Sequence, residues 1–146
     1  MQKTISQDFH LQVPFFDVDS MNIVWHGHYV KYLELARCQL LDTLGYGYRE
    51  MADTGYGFPI VDLHIKYIKP LTFEQNVIIT ASLIEWHYRI KINYLIHDAD
   101  SGDKLTKAHT IQAAVEKKSG NLCLECPPQL TEKVDNYLTM NSSVSI

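Results

Sequence analysis

At 146 residues, 46% hydrophobic and 21% charged, the chain has the length and composition of one globular domain with a core of its own. A net charge of −4 argues against a nucleic-acid binder but leaves room for an anionic coenzyme held by a few local cations. No apolar run approaches the ~20 residues that span a bilayer, and the first ten residues lack the apolar centre of a secretory signal, so the sequence predicts a cytoplasmic protein without a membrane segment.

Phe9, Leu11, Val13 and Phe15 alternate with polar residues or Pro14, which predicts a first strand with one buried face, at an edge or ending near the proline. A short polar break carries Asp17 and Asp19. From Tyr29 to Leu44 there is neither Gly nor Pro, and Tyr29, Leu33, Ala36, Leu40 and Leu44 recur at helical spacing. Tyr32, Leu35 and Leu41 widen that stripe, so this helix needs other elements wrapped around it. Gly45 supplies the stop. The Gly- and Tyr-rich stretch from Tyr46 to Tyr56 predicts a short helix and then a loop.

Three runs of two-residue periodicity follow. Val61, Leu63, Ile65 and Tyr67 predict a half-buried strand that Pro70 ends. Val77, Ile79, Ala81 and Leu83 share one face of the next, and Ile90, Ile92, Tyr94 and Ile96 one face of a third. Asp98 to Asp103 is a turn, and a long strand from Leu105 to Lys117 closes at Lys118–Asn121, where a short strand has room to follow. Leu130 to Leu138 predicts a terminal helix. The expectation is an α+β domain over residues 1–140 with a frayed tail at 141–146: an antiparallel five- to six-stranded sheet curled around one long central helix. Ile78, Ile84 and Trp86 fall on the outer sheet face and predict a covering partner.

The first N–H groups of a helix lack intrahelical partners and carry partial positive charge, so the start of the long helix is where a developing oxyanion is stabilised. Asp19, a few residues upstream, is placed to face the same point; the plain alternative for both aspartates is a solvated capping turn. D-x-D, a polar turn, Ile23-Val24-Trp25-His26, Tyr29 and a Leu- and Ala-rich helix with Glu34 and Arg37 together resemble the signature of hotdog-fold acyl-CoA thioesterases of the 4-hydroxybenzoyl-CoA thioesterase type. Tyr67 with Pro70 matches a second stretch of that family. The chain departs from it after the second aspartate, where Ser20-Met21-Asn22 replaces a Gly-containing turn.

The resemblance implies hydrolysis of an acyl thioester, carried by CoA or an acyl carrier protein, with no cofactor beyond the CoA of the substrate and no metal. It makes Asp19 the catalytic carboxylate, Asp17 a structural neighbour and His26 a catalytic residue whose backbone N–H is the oxyanion donor. Trp25, Tyr29 and Tyr67 become the substrate-binding candidates, although packing explains Tyr29 as well. It also implies a homodimer or homotetramer with Tyr67 near the neighbouring subunit's pocket. Three other readings stand beside it: a metal site built from Asp17, Asp19, His26 and His28, a hydroxyacyl-thioester dehydratase or hydratase, and a non-catalytic acyl-binding protein. Lys66, Lys69, Arg89 and Lys91 are candidates for coenzyme phosphates, and the lone Cys123-Leu-Glu-Cys126 pair is read as inert.

Overall fold

The computed structural model describes residues 4–142, so the predicted tail lies outside the described residues from 143 onward. The first strand is β1 (Ile5–Gln12), and a one-turn 3-10 helix at Phe15–Asp17 leads to the loop before α1 (His28–Thr43). A short α2 (Tyr48–Thr54) and the two-residue β2 (Tyr56–Gly57) precede four strands: β3 (Ile60–Tyr67), β4 (Asn76–Glu85), β5 (Ile90–Asp98) and β6 (Lys104–Gln112). The two-residue β7 (Val115–Glu116) pairs with β2, and α3 (Pro128–Ser142) ends the described chain.

The main sheet has five antiparallel strands in the order β1-β4-β5-β6-β3, the architecture that the hotdog resemblance implies. Two of its three inner strands, β4 and β5, bury the faces that their alternation predicts: Val77, Ile79, Ala81 and Leu83 on one, Ile90, Ile92, Tyr94 and Ile96 on the other. Against them lies the wide stripe of α1, with Tyr29, Tyr32, Leu33, Ala36, Leu40 and Leu41 buried. Each fully buried aliphatic side chain here contributes roughly 1.5–3 kcal/mol, and the helix cannot leave the sheet without exposing all of them. Gly45, at φ +79, ends the helix region in the left-handed conformation that glycine adopts without steric cost.

Several expectations are corrected. The first strand stops at Gln12, because Val13 N–H bonds Gln75 O and the chain turns into the 3-10 helix; Phe15 is therefore exposed rather than the last inward residue. Leu35 is exposed on α1. The strand predicted from Leu105 to Lys117 is two, since Ala113 N–H bonds Pro59 O and the ladder breaks after Gln112. Trp86 is buried within the single chain, one residue past the register shift at Leu83/Glu85, and needs no partner to cover it. β3 is the opposite case: its alternation predicts a half-buried strand, yet Val61, Leu63 and Tyr67 are exposed and only Ile65 is half-buried. The terminal helix is longer than predicted and takes in residues 141 and 142.

Candidate active site

The site begins as a tight loop between the 3-10 helix and α1. Val18 bridges Val24, Asp19 N–H bonds Ile23 O at 2.8 Å, and Asn22 N–H returns to Asp19 O at 3.0 Å. Asn22 has φ +64, a left-handed conformation that Asn tolerates better than most residues. Asp19 Oδ1 accepts Met21 N–H at 2.8 Å and Ile23 N–H at 3.5 Å, which fixes the carboxylate on its own loop. Its Oδ2 accepts no hydrogen bond among the described residues.

A second set of contacts pins the loop to the body. Val24 N–H bonds Leu71 O at 2.8 Å, Ile23 bridges Thr72, and Leu71 N–H donates to Tyr29 Oη at 3.1 Å. Asp17 works from beneath. It is 2% exposed and accepts hydrogen bonds from Tyr32 Oη at 2.5 Å and from Lys31 Nζ at 2.9 Å, while its carbonyl accepts Trp25 N–H. Burial opposes ionisation of this carboxyl, but the hydrogen bonds from Tyr32 and Lys31 and the nearby positive charge outweigh it and hold its pKa below the usual value. The same carboxylate, added to burial, pushes the Tyr32 phenol well upward.

The start of α1 is open. Gly27 is its N-cap, without a side-chain cap and with no acid in the first turn. His28 N–H bonds Trp25 O and Tyr29 N–H bonds His26 O, whereas the N–H groups of His26 and Gly27 have no acceptor among the described residues. This leaves two donors at the positive end of a 16-residue helix.

A pocket of about 380 Å³ joins these parts: Asp19, Trp25, His26, Tyr29 and Tyr67 all line it, together with Ile23, Val24 and the Ile68–Pro70 turn. All five site residues singled out from sequence thus meet in one place. Tyr29 forms part of the wall from a buried position, with its ring edge-on to Tyr67 at 4.7 Å. Tyr67 donates from Oη to the carbonyl of His26 at 2.9 Å, bracing the helix mouth against the end of β3. Burial raises the pKa of both tyrosines above the ordinary phenol value. Trp25 is half exposed and its ring sits 5.2 Å from that of His26.

The four residues of the metal reading separate: Asp17 is committed to Lys31 and Tyr32 with His28 at 3.8 Å, and Asp19 lies on the pocket side. Among the described residues no group of three His, Cys, Asp or Glu is placed to hold a metal ion. Of the cations considered for coenzyme phosphates, Lys69 pairs with Asp103 and Arg89 with Glu85. Sequence reasoning missed the clamp on Asp17, because Lys31 and Tyr32 lie 14 and 15 residues away and no local spacing announces them.

Residues 13–134 match the Thioesterase-like superfamily. YneP of Bacillus subtilis (strain 168), which bears the name putative acyl-CoA thioesterase, is 28% identical over 110 residues, covering 75% of this chain and 79% of YneP. Among solved structures, the gentisyl-coenzyme A thioesterase BH1999 is 25% identical with a TM-score of 0.74, over 86% of this chain and 97% of that one. A DHNA-CoA thioesterase from Staphylococcus aureus, at 20% identity, superposes with a TM-score of 0.80 over 97% of this chain and 96% of its own, a likeness of fold.

Proposed function

Because this chain belongs to the Thioesterase-like superfamily, we propose that it hydrolyses acyl-CoA thioesters to a free acid and a thiol, with Asp19 as its catalytic carboxylate. The observation that carries this reading is a juxtaposition. Asp19 and His26 line one pocket; Asp19 Oδ2 has no partner among the described residues, and neither do the N–H groups of His26 and of Gly27 beside it.

A thioester carbonyl seated between them has what hydrolysis requires. The N–H groups of His26 and Gly27 take the carbonyl oxygen as negative charge builds on it. Asp19 acts by one of two routes. As a nucleophile its oxygen bonds the carbonyl carbon, the C–S bond breaks to release thiolate, and water then opens the mixed anhydride. As a general base it takes a proton from the water that attacks the same carbon, and the tetrahedral intermediate then collapses with cleavage of the C–S bond to release the acid and thiolate. Trp25 and Tyr67 flank the acyl group, and Tyr67 also holds the His26 carbonyl so that the peptide carrying the next N–H stays in place. Neither route calls for a metal, and prolonged chelation is expected to leave turnover unchanged.

The assembly follows from β3. This strand is one of the two edges of the sheet, it exposes Val61, Leu63 and Tyr67, and α1 exposes Val30. An apolar edge of this kind is closed by a second strand, and a homodimer pairing β3 with its counterpart, or a tetramer of two such dimers, brings the pocket to a subunit boundary. Light scattering at micromolar concentration is expected to give at least a dimer; a fully active monomer contradicts this.

The activity itself is tested with a panel of aromatic, short-chain and long-chain acyl-CoA and acyl carrier protein thioesters and a thiol-trapping reagent. Thiol release on at least one CoA thioester supports the reading. Hydration of an enoyl thioester without thiol release assigns a lyase instead, and tight binding with no turnover assigns an acyl-binding protein.

A further inference from the structure

A depression of about 510 Å³ lies on the sheet face turned away from α1 and takes no part in the site above. Its floor follows from strand register. His64 of β3 stands opposite His109 of β6, which stands opposite Asn93 of β5 and then Ser82 of β4; two residues along, Lys66 stands opposite Lys107, then Leu95 and Thr80. All eight line the depression.

The charges on this floor do not balance. Lys66 and Lys107 are both exposed and directly opposed, an arrangement that destabilises an antiparallel pair, and neither forms an ion pair among the described residues. Beside them the imidazole rings of His64 and His109 stack at 5.5 Å, nearly parallel. Among the described residues no carboxylate lines the depression. The nearest acids are at its margins: Asp62, 3.8 Å from His109 Nε2, and Asp8, which accepts the Thr80 hydroxyl at 2.7 Å. A chain with a net charge of −4 therefore gathers four basic side chains and an amide on one concave floor.

We propose that this outer-face depression binds a small phosphorylated anion, held between Lys66 and Lys107 with His64, His109 and Asn93 as further hydrogen-bonding groups. Four strands and two rows of side chains give a floor of about 14 by 7 Å, the footprint of a diphosphate or a nucleotide rather than of a polymer. The net negative charge of the chain disfavours long polyanions as well. A second copy of the chain is a poorer occupant, because a two-fold contact through this face sets the lysines of one copy against those of the other.

Inorganic pyrophosphate titrated into the full chain by calorimetry at low salt is the test. Saturable binding with a dissociation constant below about 1 mM is expected, and Lys66→Ala/Lys107→Ala should weaken it at least tenfold without lowering the thermal midpoint. No saturable binding, or equal binding by the double variant, overturns the proposal. So does a change of oligomeric state in the double variant without pyrophosphate binding to the parent, which gives the face to a second copy. Acyl-CoA kinetics on the same variant tell the two sources of phosphate apart: a raised KM with unchanged kcat assigns the coenzyme's own phosphates, an unchanged KM a separate phosphorylated ligand. Pyrophosphate binding is read without any activity, so it stands or falls apart from the thioesterase reading.

Discussion

Asp17 and Asp19 are two residues apart on one loop and have opposite fates. Asp17 is buried, ionised by design of its surroundings and spent on structure: Tyr32 and Lys31 occupy its oxygens and its carbonyl holds Trp25. Asp19 is exposed to the pocket, anchored through one oxygen by its own loop and left with the other oxygen unengaged among the described residues. The difference teaches that a D-x-D pattern is not a pair of equivalent acids. The 3-10 turn sends the first side chain under the helix, and the Val18–Val24 bridge places the second at the pocket.

The largest expected effect is therefore chemical. Asp19→Asn keeps the loop acceptor but removes both the nucleophile and the base, and kcat should fall by at least about 100-fold with the fold intact. Asp17→Asn should reverse that profile. Losing charge-assisted hydrogen bonds from Lys31 and Tyr32 is expected to cost about 2 kcal/mol of stability and to lower the thermal midpoint by about 5 °C, with kcat staying within about tenfold of the parent because the aspartate acts only through position. Equal losses of rate in the two variants would erase the distinction.

Acid sharpens it further. The Asp17 carboxyl has a depressed pKa in the fold, so it contributes stability above its unfolded value of about 3.9, and that contribution is lost as pH falls below it toward the folded value. Asp98, held down to about 2 by the Gln75 side chain and the amides of Ser101 and Asp100, acts in the same direction. Urea midpoints should hold steady down to about pH 5 and then decline, and Asp17→Asn should make that decline shallower. The smallest effect is expected at Tyr67→Phe, which removes one hydrogen bond to the His26 carbonyl and should lower kcat a few-fold while costing no more than about 1.5 kcal/mol of stability.

What was legible in the sequence follows the same division between local and distant causes. The buried faces of β4 and β5 and the stripe of α1 could be read because each is buried against the other, which imposes a regular period. β3 was misread as half-buried because it carries the same alternation, but within one chain nothing packs against most of it. Five of the residues that line the candidate pocket were named from a motif of neighbours in sequence. The clamp on Asp17 was not, since it joins residues 14 and 15 positions apart across a turn whose direction only the fold supplies.

The most direct test mixes an excess of the Asp19→Asn enzyme with an acyl-CoA that the parent turns over, and follows binding and thiol release in the same single-turnover reaction. The account predicts a complex of parental affinity whose thioester stays intact at least about 100 times longer than on the parent; a complex that releases thiol at the parental rate would contradict it.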